Sequence, residues 1–196
     1  MMKILIAGDS FAADWTIAKD VVGWPNLLAN DFDVVNIAQA GCSEYKIYKQ
    51  LSSADLSQFD SIVVAHTSPN RLYVKNHPVH FSSVLHKNSD LIYADIKEHA
   101  SADRNLDSIV DYFEKYFDIE YAEFVHTLIC KEIASVLAEF TGNVVHLTGF
   151  DWTTLYQFNE LQVFADIAIH DRGLANHFDS EGNEKVYQTV KRLILQ

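Results

Sequence analysis

The sequence has few of the features that mark several large classes of protein. Only two cysteines, Cys42 and Cys130, occur in 196 residues. They are too few for a disulfide framework, and no Cys/His spacing suggests a zinc site. No apolar run approaches the ~18 residues needed to cross a bilayer. We therefore expect a protein with neither a structural disulfide nor a membrane as partner.

Basic residues are also scarce. The chain has 15 Lys and Arg against 27 Asp and Glu, a formal charge of −12. Nucleic acids are bound through clusters of Lys and Arg, and the sequence contains no such cluster. The first residues, Met1-Met2-Lys3, lead directly into an apolar strand, which predicts that a signal peptide is lacking. A cytoplasmic location without nucleic-acid partners is the resulting expectation.

What is present is typical of a globular domain. Apolar residues make up 48% of the chain and charged residues 21%, and the length suits one domain over residues 1–196 with a substantial core. Repeats and low-complexity linkers do not occur. The aromatic residues in the last third are expected mainly in the core.

The stretch from Lys3 to Ser10 organises the prediction. Ile4 to Ala7 are continuously apolar, as in a parallel strand buried on both faces. Ligands of open α/β sheets bind outside the carboxyl ends of such strands, and Gly8-Asp9-Ser10 follows at that position. The alternative is plain turn chemistry, with Gly8 allowing a positive φ and Ser10 capping a helix.

Strands and helices alternate along the first third of the chain. Further strands are predicted at 33–38, 61–66 and 144–147, with a fifth at 165–169, and a terminal helix follows residue 183. This order predicts a three-layer α/β/α fold with a parallel, flavodoxin-like sheet of four to five strands.

The middle of the chain departs from this rhythm. Helices are predicted over 88–99, 105–117 and 119–140, the last ending at Gly142. Residues 71–118 form a predicted helical insertion. It either caps the ligand crevice or provides a surface for a protein partner or self-association.

Four elements fall at the expected ends of the strands and at the start of the last helix: Ser10, Gly41, Asn70 and His177. Acyl transfer by a serine needs an activated hydroxyl, a base and donors for the oxyanion. Ser10 is the candidate nucleophile and His177 its base. The oxyanion donors would be the N–H groups of Ser10 and Gly41 and the Asn70 amide.

Each of these residues also has a structural interpretation. Gly41 suits any tight turn, Asn70 suits the turn after Pro69, and a histidine at a loop–helix junction is common. Asp9 and Arg71 are candidates for binding the substrate, Arg71 through an anionic group, although a solvated or salt-bridged arginine explains Arg71 equally well.

Together these motifs resemble the SGNH hydrolase superfamily of GDSL-type esterases and lipases. The resemblance is carried by Gly8-Asp9-Ser10, by 36–41 after strand two, by 63–70 after strand three, and by His177 with Gly182 five residues on. It covers the first seventy and last thirty residues. It implies a serine esterase without a cofactor, whose frequent substrates are short-chain esters and small acyl groups on sugars.

The sequence departs from the family pattern at two points. Strand three is followed by Ser68-Pro69-Asn70-Arg71, which keeps the asparagine of Gly-x-Asn-Asp but not its neighbours. The family's acid lies three residues before the histidine, and here that residue is Leu174. Asp171 is the candidate replacement, Asp179 a poorer one, and a Ser–His dyad the remaining option.

Three histidines of the insertion, His77, His80 and His86, suggest a metal site. Pro78 disfavours a regular helix there, and no carboxylate cluster completes a ligand set in the sequence. We therefore interpret them as surface or cap histidines, and no metal is predicted.

The expected function is hydrolysis of a small-molecule carboxylic ester through an acyl-enzyme on Ser10. Two alternatives remain open: an acyltransferase that uses the same site, and a binding or assembly module that kept the fold after losing the acid.

Overall fold

The computed structural model describes residues 1–150, 156, 158, 160–170 and 177–196, with the side chains of 168–170 left out. The strands are β1 (Lys3–Gly8), β2 (Asp33–Asn36), β3 (Ser61–His66), β4 (Arg71–Leu72), β5 (Leu91–Ile92), β6 (Asn143–Thr148) and β7 (Gln162–Val163). The helices are α1 (Thr16–Lys19), α2 (Trp24–Leu28), α3 (Glu44–Ser53), α4 (Tyr93–Ala100), α5 (Asp107–Lys115), α6 (Ile119–Leu137), α7 (Ala165–His170) and α8 (Ser180–Ile194). None of the described helices is long and apolar enough to cross a membrane.

Five of the strands form one parallel sheet in the order β2-β1-β3-β6-β7. The chain passes from β1 to β2 on one side and then to β3 on the other, so the loops after β1 and β3 diverge. Such a switch point opens the crevice in which open α/β sheets bind ligands. Ser10 and the segment 67–71 lie at this point.

Alternate residues of β1 face two different helical layers. Ile4 and Ile6 pack on one face with Trp24 of α2 and Val186 of α8. The other face packs against α3 and α6 through a second cluster, which includes Leu5, Ala7, Ile47, Leu51, Ile133 and Leu137. The three-layer α/β/α fold with a flavodoxin-like parallel sheet is therefore confirmed.

The fifth strand was expected in the wrong place. Residues 165–169 belong to helix α7, and the edge strand is β7, which pairs with Leu147 and Thr148 of β6. The N–H of Phe164 donates to Thr148 O at 2.8 Å and completes the ladder. Phe164 and Ile167, three residues apart, then pack on the same core face. Residues three apart lie on one face of a helix, whereas Ile167 and Ile169, two residues apart, also fit the alternation of a strand.

Residues 71–118 lie between β3 and α6. They contain the antiparallel pair β4–β5 and the helices α4 and α5. Helix α4 begins at Tyr93 rather than at residue 88, because the preceding residues bind the loop after β2. Ser43 N donates to Asp90 Oδ2 at 2.7 Å, and Lys46 pairs with Asp90 Oδ1 at 2.7 Å.

Candidate active site

Ser10 lies two residues beyond the end of β1. The chain leaves the strand at Gly8, where an added Cβ would lie 2.6 Å from Ala65 Cβ of β3, so that only glycine fits. Ser10 itself is buried, with 6% of its surface exposed. Its carbonyl accepts the indole N–H of Trp15 at 2.8 Å.

His177 meets Ser10 in a small cavity. Both residues line a space of about 20 Å³ with Phe11, Trp15 and Phe178 among its other walls. The imidazole contacts two aromatic rings, with centroids 4.8 Å from Phe11 and 4.7 Å from Trp15. The candidate nucleophile and base thus come from opposite ends of the chain to one cavity.

Asp9 is fully buried beside Ser10. Its carboxylate accepts the Phe11 N–H at 2.9 Å and the Thr67 hydroxyl at 2.9 Å, and it pairs with Arg71 at 3.1 Å. Burial raises the pKa of Asp9, although Arg71 opposes the rise. The carboxylate therefore holds the loop of Ser10. Substrate binding by Asp9 remains a prediction.

Arg71 joins the loops after β1 and β2. Besides its pair with Asp9, its guanidinium donates to Cys42 O at 2.8 Å and lies 5.5 Å from the Phe150 ring centroid. Only 7% of this side chain is exposed. Of the two interpretations from sequence, the salt-bridged arginine describes the observed contacts, and recognition of an anionic substrate group stays a prediction.

Gly41 and Asn70 lie on the loops after β2 and β3. Gly41 has φ +72°, and a Cβ on it would lie 2.6 Å from Ser89 Cβ, so this turn requires glycine. Asn70 is exposed, and its backbone N–H binds the Ser68 hydroxyl at 3.2 Å. Both residues lie outside the described lining of the Ser10 cavity. Their roles as oxyanion donors remain predictions.

The acid of the triad stays open. Asp171 and Leu174 lie outside the described residues. Asp179, the poorer candidate, caps helix α8 by accepting the Gly182 N–H at 2.8 Å, the usual role of an aspartate at this position.

A second set of ionisable groups, which sequence reasoning missed, lies at the same edge of the sheet. We call Glu44, His66, His126, His146 and Cys130 the buried network. His66 Nδ1 lies 2.6 Å from Glu44 Oε1, and its Nε2 lies 2.9 Å from His146 Nδ1. Locally, Ser43-Glu44 has the pattern of a helix start. The role of Glu44 in the network is not visible in the sequence, because its partner His66 follows 22 residues later.

The buried network holds Glu44 as a carboxylate. Burial alone would raise its pKa, but the charge of His66 and the bonds from His126 and His66 outweigh burial and lower it. Burial lowers the pKa of His146 to about 3, with a further contribution from His66. Glu44 Oε2 also accepts the Thr67 N–H at 3.0 Å. Thr67 therefore links this network to Asp9 and to the loop of Ser10.

Glu44, His66 and Cys130 are spaced closely enough to share a metal ion, each offering an atom within 4.8 Å of the others. The 2.6 Å between Glu44 and His66 is, however, a hydrogen-bond distance. Two ligands of a tetrahedral zinc lie about 3.3 Å apart, given bonds of about 2.0 Å. As described, the pair fits a hydrogen-bonded ion pair better than a ligand set.

His77, His80 and Asp95 form a similar group in the insertion. His80 Nε2 binds the Asp95 carboxylate at 3.0 Å. His77 Nδ1 accepts the N–H groups of Val79 and His80, both at 3.2 Å. The neutral His77 ring therefore carries its proton on Nε2, the nitrogen that faces Asp95, where a metal ligand needs a lone pair. This geometry favours the structural interpretation of these histidines.

A wide groove opens beside the loops after β2 and β3. It has a volume of about 510 Å³, and Arg71 and Glu44 lie in its wall. Ser43 is also among the lining residues, and its hydroxyl oxygen is buried without a hydrogen-bond partner among the described atoms. Its aromatic residues are Tyr45, Tyr73, Tyr112, Tyr116, Phe117 and Tyr121. We call it the tyrosine groove.

Comparison with known proteins adds the following. No family model and no curated protein matches the chain. Among solved structures, the chain is similar to a candidate acylhydrolase of Bacteroides fragilis NCTC 9343, with 10% identity, TM-score 0.44, and coverage of 99% of this chain and 86% of that one. It is also similar to a candidate lipolytic protein of the G-D-S-L family from Desulfitobacterium hafniense DCB-2, with 14% identity, TM-score 0.40, and coverage of 98% and 99%.

Proposed function

We propose that the protein is a serine esterase of the SGNH type, which cleaves a carboxylic ester through an acyl-enzyme on Ser10. The observation that carries the proposal is the cavity that Ser10 shares with His177. A hydroxyl and an imidazole together at the switch point of a parallel sheet are the pair that acyl transfer requires.

In the proposed reaction, Ser10 Oγ bonds to the ester carbonyl carbon while His177 accepts the serine proton. The tetrahedral oxyanion is held by the N–H groups of Ser10 and Gly41 and by the Asn70 amide. Its collapse breaks the bond to the alcohol, which leaves with the proton from His177. Water then attacks the acyl-enzyme while His177 accepts its proton, and collapse of the second tetrahedral intermediate releases the carboxylic acid and returns the proton to Ser10. Asp171 is assigned to orient the imidazole.

The small volume beside Ser10 supports a short acyl group. About 20 Å³ accommodates roughly one water molecule, and the walls around it are the large rings of Phe11, Trp15 and Phe178. An acetyl group demands far less rearrangement of these rings than a fatty acyl chain does. We therefore assign acetyl or another short-chain ester to this site.

The tyrosine groove supports a polyhydroxylated alcohol, such as a carbohydrate, as the other half of the ester. Tyrosine offers an apolar ring and a hydroxyl together, and five of the groove's six aromatic residues are tyrosines. Arg71 lies in this groove and also binds Asp9, which connects the groove to the loop of Ser10.

The test is labelling of the purified protein with a fluorophosphonate at pH 8, followed by intact-mass analysis and peptide mapping. We expect one label, on Ser10, lost in Ser10→Ala and in His177→Ala. Ser61→Ala is the matched control, since Ser61 is also buried but bonds to Asn143 O at the opposite end of β3. If His177→Ala is labelled as fast as the wild type, or if the wild type is not labelled at all, the proposal is contradicted.

A series of p-nitrophenyl esters from acetyl to octanoyl tests the acyl assignment. We expect kcat/KM to fall steeply beyond the shortest chains. If the release of p-nitrophenol is slow and an added sugar alcohol accelerates it, acyl transfer would instead be assigned to the same site.

A further inference from the structure

His177 lies between two aromatic rings that we call the aromatic cradle, Phe11 and Trp15. The ring centroids of Phe11 and His177 are 4.8 Å apart at an interplanar angle of 41°. Those of Trp15 and His177 are 4.7 Å apart at 57°. Both cradle residues line the cavity together with Ser10. The imidazole therefore has two aromatic partners.

Trp15 is itself fixed to the candidate nucleophile. Its indole N–H donates to Ser10 O at 2.8 Å, and 7% of its surface is exposed. The same side chain thus contacts the ring of the base and binds the backbone of the nucleophile. Movement of Trp15 would change the position of His177 relative to Ser10.

The cradle also has an electrostatic consequence. A general base becomes an imidazolium when it takes the serine proton, and a buried cation is costly without compensation. Aromatic faces attract cations through their quadrupoles, and tryptophan does so most strongly. Two aromatic rings in contact with His177 therefore favour its protonated form more than an aliphatic wall would.

We propose that Trp15, assisted by Phe11, is a positioning residue that holds the His177 base against Ser10 and stabilises the imidazolium that forms during acyl transfer. This inference rests on the proposed function. Among the residues that the structure describes, Asp9 on the loop after β1 and His86 on the insertion interact electrostatically with His177. His86 contacts the indole of Trp15 at 5.8 Å, so a His86→Asn background removes its contribution.

The first experiment measures the pKa of His177 by NMR, with its resonance assigned by its loss in His177→Ala. In Trp15→Leu we expect the pKa to fall by about 0.5 unit or more, which is the value of one cation–π contact at 1.36 kcal/mol per unit. Trp15→Phe, which keeps a ring, should shift it less. If the indole only excludes water, its removal hydrates His177 and the pKa rises. A rise or no change overturns the proposal.

Two further variants protect this test against a failure to fold. Phe11→Leu removes the other half of the cradle but leaves the Trp15 bond, and it should lower the His177 pKa in the same direction. Phe32→Leu is the matched control, because Phe32 is a buried core phenylalanine whose N–H donates to Leu28 O at 3.0 Å, away from the cradle residues. It should leave the His177 pKa unchanged.

The second experiment measures the rate of fluorophosphonate labelling against pH in the same variants. Trp15→Phe loses the bond to Ser10 O, and we expect labelling at pH 8 to slow by about three- to tenfold, the value of a hydrogen bond of about 1 kcal/mol. The midpoint of the profile should follow the NMR pKa. If the wild type is labelled at Ser10 but the Trp15 variants show no shift in the His177 pKa or in the midpoint of the profile, the proposed role of the cradle alone is overturned. Loss of wild-type labelling overturns the proposed function, and the catalytic role of the cradle with it.

Discussion

Two histidines at the same edge of the sheet have different neighbours among the described residues. His66 is held by charge, through a 2.6 Å contact with the buried carboxylate of Glu44. His177 packs against the rings of Phe11 and Trp15. The Glu44–His66 pair has the geometry of a catalytic acid and its histidine, yet Ser10 shares its cavity with the other histidine.

The difference shows that a carboxylate–histidine contact and a cavity shared by a serine and a histidine occur at separate places in this fold. In the buried network each member is bonded to another member or to backbone, which is what a structural ion pair requires. At His177 the surrounding rings leave space for a reacting group. The predictions that follow act on one region or the other, starting with the largest expected effect.

Removal of Glu44 should be the most damaging change. Glu44→Ala leaves His66 without its partner and the Thr67 N–H without its acceptor, so we expect a loss of about 3–5 kcal/mol in the free energy of unfolding. Urea denaturation measures it. Glu114→Gln is the control, because the exposed pair with Lys97 should contribute less than about 1 kcal/mol. Equal losses in the two variants would contradict the structural role of the network.

Gly41→Ala acts on the loop beside Ser10 and leaves the charges of the network intact. The positive φ and the 2.6 Å approach to Ser89 Cβ predict a loss of about 1–3 kcal/mol. The double variant Gly41→Ala with Ser89→Gly removes the clash and should recover part of this loss, while the φ penalty stays. Thermal unfolding separates the two contributions, and the absence of any recovery would show that the contact with Ser89 is not limiting.

Acid should weaken the protein through the histidines that are buried neutral. The pKa values of His146 and His77 lie at about 3 and about 4 in the folded chain, below the ordinary value of about 6.5. The unfolded chain therefore binds more protons below pH 6.5, and stability falls as the pH drops from there towards 4. Each proton contributes a slope of at most about 1.4 kcal/mol per pH unit.

His146→Gln checks this assignment, since it removes one titrating group from the buried network. The stability of the variant should depend less steeply on pH between about 6 and 4. A slope equal to that of the wild type would mean that His146 titrates alike in the folded and unfolded chains.

Thr67→Val tests the link between the two regions and should have the smallest effect. It keeps the side-chain volume but removes the hydroxyl that binds Asp9 at 2.9 Å, which predicts a loss of about 1–2 kcal/mol. The Thr67 N–H to Glu44 is unaffected. The loop of Ser10 should loosen, so that fluorophosphonate labelling changes more than in Thr127→Val, which removes a hydroxyl that donates to Glu123 O within α6. Unchanged labelling would mean that Asp9 holds the loop without Thr67.

Local signals predicted much of the fold. The apolar runs of β1 and β3 were clear because both strands are buried on both faces. The order of strands and helices in the first third of the chain was also predicted from local patterns. The segment 165–169 was misassigned because alternating isoleucines suit a strand as well as a helix. The start of α4 was missed because Ser89 and Asp90 serve the loop after β2, a contact across more than forty residues.

For the candidate site, the sequence predicted the candidate nucleophile and base but not the residues that contact or hold them. Gly8, Ser10 and His177 belong to a motif with recognisable order and spacing. Glu44 and His66 join through tertiary structure alone, and Trp15 was only an apolar residue after the motif. The packing that places an indole against His177 depends on how α8 packs against α2 and β6, which no local pattern encodes.

The contacts of Asp9 and Arg71 also have a consequence for local opening. Asp9 binds Phe11 and Thr67, and Arg71 binds both Asp9 and Cys42, so the loops after β1, β2 and β3 are held by one pair of side chains. Segments joined in this way tend to open cooperatively. We expect the amides of residues 9–11, 42–43 and 67 to exchange with solvent as a single unit. Arg71→Met should release residues 42–43 from that unit, while the bond between Thr67 and Asp9 keeps the loops after β1 and β3 together.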